Sequence, residues 1–196
     1  MKLKITSLAL ILIVAISSAF APAFKATSYK VDLTKSTIGW AGKKIGGGHN
    51  GSIALKSGIL LVDGKTLTGG NFVIDMTTIK DVEASAKLEG HLKAEDFFGV
   101  DKFPTSTFVI KKVTAATAGK VNITGDLTIK GITNPVSFPA DFQVGADGST
   151  VAAKANIVVD RTKYGIKFRS KSIFPDVGDK LIEDNFEVAI ELLAKK

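Results

Sequence analysis

An apolar residue stands at every second position between 151 and 159 (Val151, Ala153, Ala155, Ile157, Val159), and this period of two recurs along most of the chain. Successive side chains of a β-strand point to opposite faces, so such a run buries one face and solvates the other. The pattern returns in Phe72, Ile74 and Met76, in Phe108 and Ile110, and in Val121, Ile123, Leu127 and Ile129 on either side of Gly125. It returns again in Val136, Phe138, Ala140, Phe142 and Val144, and in Phe186, Val188, Ile190 and Leu192. Near the start, Tyr29, Val31 and Leu33 are separated from Ile38 and Trp40 by polar Thr34-Lys35-Ser36, which predicts a first strand with a kink or bulge.

The connections between these runs are short. Asp63-Gly64-Lys65 joins residues 52–62 to 66–79 as a hairpin, Asn134-Pro135 marks a turn into 136–144, and residues 145–148 form another turn. Pro139 points to an edge or a bulge, because it has no N–H to give to a ladder. Residues 41–51 are glycine-rich and predict an irregular, mobile loop that leaves His49 solvated, while 161–182 reads as a long connection with a short strand or helix inside it. A parallel sheet would need a helical crossover between each pair of strands. Pairing the first strand with the last removes both edges, so the pattern predicts an all-β protein: a closed antiparallel barrel of about eight strands.

One stretch breaks the period. In residues 85–108, Leu88 and Leu92 fall four apart among Ala, Lys and Glu, the spacing of one helical face. The helix runs at most about three turns, since Phe97-Phe98-Gly99 follows and Pro104 holds Phe103 extended. Asp96-Phe97-Phe98 reads as the anchor that docks this one short helix across one end of the barrel.

The first residues have the layout of a secretory leader. Lys2 and Lys4 precede an apolar run over 5–16 that is too short to span a bilayer, and Ala21-Pro22-Ala23 fits cleavage after Ala23. Residues 1–23 are thus read as a signal peptide and 24–196 as a single domain, with no transmembrane span after cleavage and a periplasmic or secreted destination. The chain has no cysteine, which excludes disulfides and a lipid-modified N-terminal thiol. Loss of the two leader lysines lowers the net charge from +7 to +5. Arg161 and Arg169 are the only arginines, so no basic cluster points to nucleic acid. No Gly-x-Ser-x-Gly elbow, phosphate loop or His-x-x-x-His spacing is present, which argues against an enzyme, a cofactor and a metal centre.

Three stretches carry a family resemblance. They are the segment from Gly90-His91-Leu92-Lys93 through Asp96-Phe97-Phe98 and Phe103-Pro104 to Thr107-Phe108, the run Gly125-Asp126-Leu127-Thr128-Ile129-Lys130-Gly131-Ile132-Thr133-Asn134-Pro135-Val136, and Asp160-Arg161-Thr162-Lys163-Tyr164-Gly165-Ile166. In order and spacing they resemble the YceI-like proteins over roughly residues 29 to 193. The resemblance implies a lipocalin-like barrel that carries or stores an isoprenoid or other long-chain amphiphile in its interior.

The inward candidates for such a ligand are Trp40, Phe72, Ile74, Met76, Phe108, Ile110, Phe138, Phe142, Ile157 and Phe186. The residue pattern alone leaves open whether they enclose a cavity or interdigitate as a solid core. His91, Arg161, Lys163 and Arg169 are head-group candidates, able to donate hydrogen bonds to phosphate or carbonyl oxygen. A structural role stands beside each, an ion pair with Asp160 for Arg161 and a backbone bond for His91. The second functional reading is a solid-core envelope or stress-related module acting through its outer surface, and outward faces leave a homodimer open.

Overall fold

The computed structural model describes residues 26–116, 119–174, 176, 178 and 181–196. The leader reading over 1–23 and the Pro175 position lie outside the described residues. The elements in chain order are β1 (Thr27–Val31), β2 (Thr37–Lys44), β3 (Gly47–Asp63), β4 (Thr66–Asp81), helix α1 (Ala86–Lys93), β5 (Thr105–Ala115), β6 (Lys120–Ile129), β7 (Ile132–Val144), β8 (Thr150–Asp160), a 3-10 turn (Arg161–Tyr164) and β9 (Ile182–Lys195).

All these strands lie in one antiparallel sheet ordered β1-β3-β2-β9-β8-β7-β6-β5-β4, which closes through β3–β4. β1 and β2 both pair with β3 and with β9, so they are two halves of one stave, broken where the polar stretch after Val31 interrupts the alternation. The result is a closed antiparallel barrel with eight positions around it, and among the described strands no edge is left open to template aggregation.

Two turns fall elsewhere than the sequence predicts. The glycine-rich stretch 41–51 is regular: β2 and β3 form a hairpin through it, with Lys44 paired to Gly47 and Gly42 paired to His49. Glycine there permits close approach rather than irregularity. Trp40 pairs with Gly51, and its indole crosses that position to donate to the Lys80 carbonyl at 3.1 Å, where any Cβ on Gly51 would collide with both. The second correction concerns Asn134-Pro135, which lies within β7 opposite Leu127 and Asp126, while the turn is Lys130-Gly131, both at positive φ (52° and 74°). Two successive left-handed residues suit the tight hairpin twist, and pairing resumes at once with Ile129 opposite Ile132, two residues ahead of Asn134.

The far end of the barrel is packed shut. Tyr29, Leu60, Val62, Leu67, Val151 and Ala194 are all buried there, and the Tyr29 hydroxyl donates to the Gly148 carbonyl at 2.8 Å. Helix α1 lies at the opposite end. Ser85 caps it by accepting from the Leu88 N–H at 3.3 Å, and Leu92 turns inward and is buried.

Candidate functional site

Between floor and helix the barrel is hollow. The space that the centre of a water molecule can reach inside it is ≈ 230 Å³. A single water needs roughly 10–15 Å³ by that measure, so this is no packing defect. The hollow interior excludes the solid-core arrangement, and the surface facing it is almost wholly apolar.

Trp40 of β2, Phe72, Ile74 and Met76 of β4, Phe108 and Ile110 of β5, Phe138 of β7, Ile157 of β8 and Phe186 of β9 all line the cavity. Period-two alternation is what aims them inward. The aromatic residues cluster on one wall, where Phe108 lies 5.6 Å from Phe138 and 6.4 Å from Phe72, centroid to centroid. Phe142 is the exception among the inward candidates. It follows the same alternation, but the cavity stops short of it, and it packs half-buried against the core toward the closed end of β7.

From the sequence, the aromatic pair after α1 reads as an anchor ahead of a ligand contact. Phe97 and Phe98 in fact form part of the cavity wall with Leu92, and Phe98 meets Phe186 of β9 edge-on at 6.4 Å. Ser106 was also missed. It shares the inward face of β5 with Phe108, is buried in the cavity wall, and its Oγ has no hydrogen-bond partner. The period of two could have found it, because Ser106, Phe108 and Ile110 are spaced by two.

The head-group candidates fare differently from the wall. Arg161 reaches the cavity lining, but its guanidinium is already engaged: Nε donates to the Glu183 carbonyl, Nη1 to those of Ile166 and Phe168, and Nη2 to that of Ile182, all at 2.9–3.0 Å. Only 4 % of the residue is exposed, and Asp184 sits 3.7 Å from Nη2. Burial draws the guanidinium pKa down, while Asp184 and then Asp160 oppose it. The side chain ties the 161–182 connection to the start of β9, and the expected Asp160 pairing is replaced by Asp160 capping the 3-10 turn through the Thr162 N–H.

His91 lies outside the lining. Its Nε2 is 2.9 Å from Asp96 Oδ2, and its ring is wedged between Phe97 and Phe168 at 4.8 and 4.7 Å. It therefore joins the helical segment to the 161–182 connection over the same end of the barrel. Lys163 and Arg169 are exposed and also lie outside the lining. The Lys163 carbonyl accepts from Asn134 Nδ2, and the Arg169 guanidinium stands 5.0 Å over the Phe168 ring.

The wall has a seam between β7 and β8. The β7–β8 ladder covers Ala140 to Val144 against Val151 to Ala155. Pro135 and Pro139, four apart on β7, lack N–H groups on the same side of the strand, which fits pairing with β6 and not with β8 at those positions. A polar cleft occupies that seam and shares Val136, Val159 and Asn185 with the main cavity.

The fold of this barrel is matched by solved structures. The sequence profile of the YceI-like domain covers residues 29–194. The chain belongs to the YceI-like family. A UPF0312 protein of Staphylococcus aureus (strain USA300) is 42% identical over 85 residues, which are 41% of this chain and 47% of that protein. The chain thus spans about half the length of the curated relatives it matches. Among solved structures, Burkholderia cenocepacia BcnA superposes with a TM-score of 0.67 at 23% identity, over 84% of this chain and 99% of that one. A polyisoprenoid binding domain from Saccharophagus degradans superposes with a TM-score of 0.61 at 11% identity, over 85% and 97%. At such identities these two likenesses establish that this YceI-like chain shares their fold.

Proposed function

We propose that the protein is an exported, non-catalytic carrier or store of a long-chain amphiphile, an isoprenoid or fatty chain, held in the barrel interior. The observation that carries this reading is the floored cavity with its nearly continuous apolar wall. It is supported by membership of the YceI-like family and by the shared fold of a domain described as polyisoprenoid binding. A chain of ten carbons buried there gains about 8 kcal/mol at ~0.8 kcal/mol per CH₂, before the entropy lost on binding.

Affinity in this reading comes from chain length, and polar recognition is sparse. Arg161 has four of its five donors engaged by backbone carbonyls, and the partnerless Ser106 hydroxyl is a polar side-chain group offered inside the wall, which Asn185 also lines. The apolar end of the ligand lies against the floor at Leu60 and Leu67, and its head lies toward Phe98 and Phe186. The leader over 1–23 directs the protein to the periplasm or outside the cell, and among the described residues no helix is long and apolar enough to cross a membrane.

The test is native mass spectrometry of protein purified gently from an exporting host, followed by organic extraction. A stoichiometric amphiphile leaving with the protein is the expected result. Delipidated, folded protein that takes up no polyprenyl, quinone or long-chain amide probe would overturn the proposal.

A further inference from the structure

At the helix-bearing rim, outside the cavity lining, His49, Asp81 and Glu83 bring one donor atom each within 4.8 Å of one another. The β2–β3 hairpin carries His49 on the same face as Gly51 and Ile53, and the β3–β4 ladder pairs Gly51 with Asp81. Glu83 stands on the turn that leads into α1 and is exposed.

The cluster contains a buried carboxyl oxygen without a hydrogen-bond partner. The Asp81 side chain is 0% exposed, its Oδ2 accepts from the Ser85 N–H at 3.2 Å, and its Oδ1 has no hydrogen-bond partner. That Oδ1 faces His49 Nδ1 at 3.9 Å, beyond hydrogen-bond reach. A buried carboxylate oxygen is ordinarily satisfied, and one left open toward an imidazole and a second carboxylate is placed as a metal ligand would be. The neighbouring cation offers no alternative, because Lys80 Nζ is bound to Glu89 Oε2 at 2.8 Å, and Glu89 Oε1 takes the Asp81 N–H.

We propose that His49, Asp81 and Glu83 form a binding site for a divalent transition-metal ion, zinc foremost, with a water completing the coordination. One imidazole and two carboxylates are a borderline donor set that suits Zn²⁺ and its neighbours better than Ca²⁺ or Mg²⁺, which take oxygen ligands only. Tetrahedral Zn²⁺ with bonds near 2.1 Å sets its donors about 3.4 Å apart. The 3.9 Å between His49 and Asp81 is close to that, and Glu83, exposed on its turn, supplies the remaining movement. The site is separate from the apolar cavity and does not depend on its ligand.

Trp40 makes the site visible. It is the only tryptophan, and it pairs with Gly51, which places it diagonally from His49, with backbones about 7–8 Å apart. A paramagnetic ion such as Ni²⁺ or Cu²⁺ bound there quenches its fluorescence. The experiment is titration of the tag-free mature chain with Zn²⁺ by calorimetry and with Ni²⁺ by Trp40 fluorescence, on wild type, His49→Gln, Glu83→Gln and His91→Gln, each checked for wild-type circular dichroism.

One equivalent of Zn²⁺ is expected for wild type, with Ni²⁺ quenching that Zn²⁺ competes away. Losing even an outer-shell partner weakens metal sites by about 10–100-fold, so His49→Gln is expected to lose at least that much, Glu83→Gln less, and His91→Gln nothing. No saturable binding by wild type, wild-type affinity in His49→Gln, or an equal loss in His91→Gln each overturns the assignment. Because both ligand substitutions lie on accessible residues, a folded variant without binding is the informative result.

Discussion

The two ends of the barrel are built by opposite means. The floor is made of strand residues packed on one another: Leu60 and Val62 of β3, Leu67 of β4 and Val151 of β8 are each 1% exposed, and Ala194 of β9 is fully buried. The other end is closed by segments that are not part of the sheet, α1 with Phe97 and Phe98, and the 161–182 connection held by Arg161. Their meeting point is the His91, Phe97 and Phe168 group. The contrast teaches that a barrel can hold its shape at one end and reserve the other for access. Strand packing is stabilised by the whole ladder, whereas the cover depends on a few side chains and can open at lower free energy.

The largest effect that would break this comparison is expected at Arg161. Arg161→Met leaves four backbone carbonyls without donors, and removing one partner of a buried charged network costs about 3–5 kcal/mol. Denaturant unfolding should show that loss, and hydrogen exchange should quicken first over 161–182. Equal acceleration at the floor would mean that the two ends are one cooperative unit.

At the floor, Leu60→Ala removes a fully buried side chain and is expected to cost about 3 kcal/mol, read from the urea midpoint with the slope unchanged. Phe98→Ala sharpens the contrast from the other side. Phe98 is half-buried, so the expected loss of stability is about 1 kcal/mol, yet release of a fluorescent long-chain probe should speed up about tenfold. Stopped-flow displacement measures this, and an unchanged off-rate would place the exit elsewhere, with the β7–β8 seam the next region to open by substitution.

The smallest effect concerns acid. At the floor end, hydrogen bonds from Thr34 and then Lys195 lower the Asp32 pKa from its ordinary 3.8 to about 2, against an opposing effect of burial. A carboxyl with a depressed folded-state pKa contributes stability above its unfolded value, and that contribution fades as the pH falls from about 4 through about 2. Asp32→Asn should therefore be slightly less stable than wild type at neutral pH, with the difference vanishing near pH 2. Thermal melts across that range check it.

Much of the wall was legible in the chain. Phe72, Ile74, Met76, Phe108, Ile110, Phe138 and Phe186 were aimed inward by a local period of two, which tertiary structure has no cheap way to override, since a one-residue slip would turn every side chain to the wrong face. Phe142 shows the limit of the same signal. Alternation says which face a residue takes, but how far along the barrel the hollow extends depends on the strands around it. Glycine misled in residues 41–51 because its common role in loops hides its other role, that of letting Trp40 cross a strand at Gly51.

The sequence by itself determined most of the staves and their faces, helix α1 and the family, because each rests on residues close together in the chain. Tertiary structure alone decided that the interior is hollow, that Arg161 braces the cover, and that His49 meets Asp81. Those outcomes depend on strand register and ring closure between distant segments, where a shift of one position changes every neighbour while leaving the local pattern intact.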